Sequence, residues 1–178
     1  MQGNPEVAAK NICLRLLTGQ ARSRAELATK LRDRGIPDDA AERALNRLVD
    51  VGLIDDVSYA EAFVASRHRT RGLGRSALRM ELERKGIDRS VADQAVHAID
   101  DDAERSRAAE LVAKKLDSAM FAGTDAARRR LLGMLARRGY SSTVAIAVVN
   151  DALQGYCEPL DLPFSSDPDA GSDASFDV

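Results

Sequence analysis

Apolar residues recur at helical spacing along most of the chain, and one arrangement of them returns three times. "RAELATKLRDRGI" from Arg24, "RSALRMELERKGI" from Arg75 and "RRRLLGMLARRGY" from Arg128 align without gaps. Leu27, Leu78 and Leu131 correspond, as do Leu31, Leu82 and Leu135, and Gly35, Gly86 and Gly139 close the three segments. The register continues into Ala44, Ala95 and Val148, then Leu45, Val96 and Val149. Each unit spans about fifty residues, long enough for three short helices. The pattern predicts an all-α chain of three tandem three-helix repeats, at residues 1–55, 56–100 and 101–154.

Cap-type residues fall where that plan needs them. Asn4 and Pro5 suit an N-cap and first helical residue, and Gly19 suits the end of the first helix. Ser23 and Glu26 form a capping box, in which the hydroxyl accepts an orphan N–H and the carboxylate reaches back. Gly35 supplies a left-handed residue that stops the second helix. "PDD" from Pro37 opens the third with negative charge at its positive end. In the second repeat, Ser58 and Glu61 read as another capping box, Gly72 or Gly74 ends the first helix, and Asp88 caps the third. The third repeat starts near Asp102, breaks at "FAGTD", restarts at Thr124, stops at Gly139 and restarts at Ser141.

Composition fits packed helices. Of 178 residues, 44% are hydrophobic but only 4% aromatic, so the core rests on Leu, Val, Ile and Ala. Cys13 and Cys157 lie far apart with no CxxC pair or His cluster, which indicates neither a disulfide framework nor a zinc site. No apolar run has the length of a signal peptide or a membrane span, which makes a cytoplasmic protein the expectation. The net charge of −2 hides an asymmetry. Residues 1–154 carry 26 Lys and Arg against 22 Asp and Glu, whereas residues 155–178 carry six acids and no base. The Asp-, Ser- and Pro-rich segment 155–178 reads as a disordered acidic tail, able to screen the basic body against nonspecific DNA.

Candidate chemistry is sparse. Asp55 and Asp56 raise the prospect of acid catalysis, but they precede a helix start, where carboxylates serve the turn and the dipole. His68 and His97 have no carboxylate or Cys at ligand spacing, and no nucleotide-binding or hydrolase motif occurs. The chain does not read as an enzyme, and it implies no metal or cofactor.

Arginines are more informative. Arg24, Arg75 and Arg128 recur in or near the first turn of a helix, where the dipole disfavours a cation by up to about 1 kcal/mol. Either they serve a use outside the fold or they are tolerated as exposed side chains. Arg67 and Arg71 lie one turn apart with Arg69 between them, and Arg128, Arg129 and Arg130 form a second cluster. Such clusters bind phosphate backbones or acidic protein surfaces, or they form a solvated face. Tyr59, Phe63 and Tyr140 fall at core-like positions, so base stacking has little to work with. Leu53 and Ile54 are expected to pack between repeats one and two.

"GLIDDVSYAEAFVASR" followed by "GRSALRMELERKGID" resembles the RecX family of bacterial regulatory proteins. The resemblance lies in Leu53, Ile54, Asp55, Asp56, Tyr59, Ala60, Phe63 and Arg67, then Gly74, Leu78, Leu82, Lys85 and Gly86. "SRAELATKLRDRGI" and "LLGMLARRGYS" resemble the family's flanking repeats, so the likeness covers roughly residues 8–154. It implies a monomeric, non-catalytic modulator of the RecA recombinase, built as an elongated, curved body that lies along the groove of the RecA–DNA filament. There it would inhibit ATP hydrolysis, strand exchange and coprotease activity, in the setting of DNA repair and the SOS response. A helical module that binds DNA phosphates without RecA is the alternative, and weak direct DNA contact is compatible with both. The acidic tail is an addition that the resemblance does not explain.

Overall fold

The structure, a computed structural model, describes residues 4–157. Nine α-helices cover them: α1 (Pro5–Gly19), α2 (Arg24–Arg32), α3 (Asp38–Asp50), α4 (Asp56–Arg71), α5 (Arg75–Arg84), α6 (Arg89–His97), α7 (Asp101–Met120), α8 (Thr124–Arg137) and α9 (Ser142–Cys157). Helix α9 runs through Gly155 to Cys157, so the helical body outlasts the expected start of the tail. Readings of the tail beyond Cys157 lie outside the described residues.

Each triplet buries its own apolar stripe. Leu27, Leu31, Leu45 and Leu48 centre the first cluster, Leu78, Leu82 and Val96 the second, and Leu131, Leu135 and Val149 the third. The repeated leucines are all at most 1% exposed, so the recurrence in sequence is a recurrence of core positions. Ile54 joins the first core at 3% exposure, but Leu53 stays 51% exposed. Both amides bond the Leu48 carbonyl in one tight turn, and only one of the two neighbouring side chains turns inward. The expectation that Leu53 packs between repeats is therefore corrected.

The second helix of each repeat ends in the same way. The Ile36, Ile87 and Tyr140 amides reach back to the Leu31, Leu82 and Leu135 carbonyls, across Gly35, Gly86 and Gly139 at positive φ. This is the Schellman arrangement, which needs a left-handed residue at that point. Helix starts also follow the sequence, with one correction. Asn4, Ser23 and Asp88 cap α1, α2 and α6. Helix α4 is capped by Asp55 instead of Ser58, its carboxylate accepting the Val57 and Ser58 amides and the Ser58 hydroxyl at 2.9, 3.1 and 2.7 Å. A two-oxygen carboxylate satisfies more of the helix start than one hydroxyl, so the helix begins a turn earlier than the box at Ser58 and Glu61 suggests. The Ser58 bonds hold the Asp55 carboxyl below the usual carboxylate range.

Helices α2, α5 and α8 abut end to end. The closing carbonyl of α5, Lys85, accepts the Ser23 hydroxyl at the start of α2 at 2.6 Å. The closing carbonyl of α8, Arg138, accepts the Gly74 amide at the start of α5 at 2.8 Å. Orphan carbonyls at one helix end thus meet orphan donors at the next, and the dipoles align favourably. Helix α8 begins at Thr124, a turn earlier than its counterparts relative to the alignment, and no repeat follows it among the described residues.

Candidate partner-binding surface

The first residues of α2 and α5 are served by acids from the following repeat. Asp56 of α4 accepts the Arg24 amide at 2.9 Å, and Glu104 of α7 accepts the Arg75 amide at 3.1 Å. Glu104 is 4% exposed. These cross-repeat caps leave no trace in local periodicity, and sequence reasoning assigned Asp56 only to its own helix.

The recurrent arginines find partners inside the fold. Arg24 Nη2 reaches Glu42 Oε2 and Asn46 Oδ1 of α3, both at 2.9 Å. Arg128 Nη1 reaches Asn150 Oδ1 of α9 at 2.7 Å, which repeats the Arg24–Asn46 brace. Arg75 pairs with Asp101 at 2.7 Å and Glu104 at 3.4 Å, and also donates to the Ile99 carbonyl. Arg128 sits on the second turn of α8, so the dipole argument applies to Arg24 and Arg75 alone.

The cluster on α4 is differently placed. Tyr59, Phe63, Arg67 and Arg71 follow at every fourth position, and so share one face. Tyr59 and Phe63 are half-buried against the second core, with ring centroids 6.1 Å apart. They are not enclosed as expected, because cations roof them. The Lys85 ammonium lies 5.9 and 5.5 Å from the two centroids, and the Arg67 guanidinium 5.2 Å from Phe63. Lys85 Nζ also bonds Glu26 Oε1 at 2.8 Å. Burial draws the ammonium down, but the Glu26 carboxylate and the Tyr59 phenol together outweigh it and hold Lys85 above the usual lysine value.

At the far end of α4, Arg107 and Arg138 donate to the Arg69 and Arg71 carbonyls. Tyr140 Oη donates to the Gly72 carbonyl at 3.2 Å, and burial pushes that phenol up to about 12. Neither Arg107 nor the reach of Arg138 was foreseen, since they come from the third repeat. The result is a basic strip on one face of α4, from Lys85 through Arg67 and Arg71 to Arg138, with Arg69 on another face of the helix and Arg107 paired with Glu110. Among the described residues Arg67, Arg69, Arg71, Arg129 and Arg130 enter no ion pair, unlike Arg24 and Arg75. Arg129 and Arg130 are exposed on α8, a separate patch. No group of His, Cys, Asp and Glu suited to a metal occurs among the described residues. No helix there is long and apolar enough to cross a membrane.

Fold and surface together define a tandem three-helix-repeat protein with a basic strip in which Arg67 and Arg71 stand outside its ion pairs. The comparisons make the class specific. Residues 9–48 match the model of the first three-helix domain of RecX, and residues 55–96 that of the second. The regulatory protein RecX of Mycolicibacterium smegmatis is 51% identical over 149 residues, covering 82% of this chain and 79% of the relative. That of Streptomyces coelicolor is 48% identical over 151 residues, covering 85% and 80%. The crystal structure of RecX from Lactobacillus salivarius superimposes with a TM-score of 0.79 at 25% identity, covering 83% of this chain and 96% of that one. The chain belongs to the RecX family of regulatory proteins.

Proposed function

We propose that the chain is a negative regulator of the RecA recombinase, binding RecA and its nucleoprotein filament and inhibiting ATP hydrolysis, strand exchange and coprotease activity. Family membership supports the regulatory role, and the strip along α4 supports a binding mode. Its Arg67 and Arg71 guanidinium groups enter no ion pair among the described residues, unlike Lys85 and Arg107 at its ends, and so suit an acidic protein surface or a phosphate backbone. In this reading the chain does no chemistry, and three similar repeats multiply weak contacts along a filament. The test is cosedimentation with RecA filaments preassembled on single-stranded DNA, beside the same DNA without RecA. Retention by the filament and little by bare DNA at physiological salt is the expected result. Equal retention on both, falling steeply with salt, would instead make the chain a phosphate-binding module.

A further inference from the structure

The two junctions between repeats are attached differently. Repeat three holds repeat two on both sides of the short α4–α5 turn. One is the start of α5, where Gly74 and Ser76 donate to the Arg138 and Gly139 carbonyls and Arg75 meets Glu104. The other is the end of α4, where Arg107, Arg138 and Tyr140 hold the Arg69, Arg71 and Gly72 carbonyls. Leu111 packs so closely on Gly72 that an added Cβ would lie 2.9 Å from its methyl. These bonds run almost without a break over residues 69–76 and are sealed by the buried Tyr140, and their number resists rotation.

Repeat two holds repeat one by fewer bonds, all of them gathered at the first turn of α2. Ser23 and Arg24, adjacent at the tip of α2, bond the Lys85 carbonyl and the Asp56 carboxylate. Nearby, Gly86 abuts Ala25, and Glu26 takes the Lys85 ion pair and the Tyr59 hydroxyl, the latter at 3.4 Å. The counterpart of Tyr140 is Ile87, which has no hydroxyl and is buried in its own core. Where the second attachment would fall lies a cleft of about 440 Å³, with Gln20 and Ala21 on one wall and Ala62, Phe63 and Ser66 on the other.

We infer that repeats two and three form one rigid body, and that repeat one swings on it about the tip of α2, opening and closing the cleft between Gln20 and Ser66. Lys85 and Glu26 act as the latch. Both side chains are partly exposed, at 29% and 28%, and such a pair contributes little against motion. Hinges commonly lie at element ends, and a joint with few buried apolar contacts is where local motion concentrates. Closure would cover Phe63 and Arg67, so the swing controls access to one end of the basic strip. This inference concerns the chain alone and stands apart from its proposed partner.

The test is pulsed electron–electron distance measurement on the full chain with Cys157→Ser, in which Cys13 is fully buried and shielded from the label. Spin labels at Asn11→Cys and Gln94→Cys report the first junction, and labels at Gln94→Cys and Asp151→Cys the second. The first pair should give a distribution about twofold wider or more. Lys85→Met should shift or widen it further while the second pair stays unchanged. Equal widths for the two pairs, or a Lys85→Met change that moves both together, would overturn the inference.

Discussion

The Ser23 hydroxyl donates to the Lys85 carbonyl at 2.6 Å while accepting the Glu26 amide at 3.1 Å. One fully buried side chain thus starts α2 and ends α5, two helices of different repeats. Ser23→Ala removes a cap and takes the hydroxyl from the part-buried Lys85 carbonyl, an expected loss of about 2 kcal/mol in urea denaturation.

Glycines at equivalent positions should tolerate substitution very differently. An alanine Cβ at Gly35 meets nothing within 4 Å, so only its φ of +72° opposes the change. Gly35→Ala should cost about 1–2 kcal/mol. At Gly139 the same Cβ would lie 2.3 Å from the Ala77 nitrogen. Gly139→Ala should therefore cost about 3 kcal/mol or more, since backbone must move as well. Parallel denaturation of the two variants checks the contrast.

Glu104 answers for both the amide and the guanidinium of Arg75. Glu104→Ala leaves an orphan helix donor and leaves the Arg75 guanidinium with only the exposed Asp101 as its acid, and should cost about 2 kcal/mol. Glu104→Gln keeps an acceptor for the amide and should cost less. An equal loss in both would show that packing, not charge, holds this junction.

Acid should loosen the first junction. Burial tends to raise the Glu26 carboxyl, but bonds from Lys85 and the Ser23 amide outweigh it and leave it below its usual value of 4.5. The folded state therefore binds the proton less readily than the unfolded one. The resulting stabilisation is fully present above that usual value and is lost as pH falls through the lower folded one. Denaturation midpoints measured from neutral pH downward should fall more steeply for the wild type than for Glu26→Gln.

Much of this fold was legible because its rules are local. The glycines of the Schellman turns, the box at Ser23 and the paired leucines declare themselves by spacing. Asp55 and Ser58 are both good caps, and only the number of bonds each makes decides between them. Asp56, Glu104, Arg107 and Arg138 act on backbone groups of another repeat, at separations that no period encodes. Arg24 and Arg75 broke a local rule, and the reason lay inside the fold, in acids brought to them by neighbouring helices. Tyr59 and Phe63 carried the right spacing for a core face, but the cations above them came from elsewhere in the chain.

In the proposed function, RecA is regulated through the strip on α4. The most direct measurement is RecA's single-strand-dependent ATP hydrolysis, titrated with this protein below the RecA concentration, beside the Arg67→Ala, Arg69→Ala, Arg71→Ala triple variant. The wild type should inhibit at substoichiometric ratios, and the folded triple variant should need about tenfold more protein for the same effect. Undiminished hydrolysis with the wild type, at concentrations where it binds DNA alone, would contradict the account.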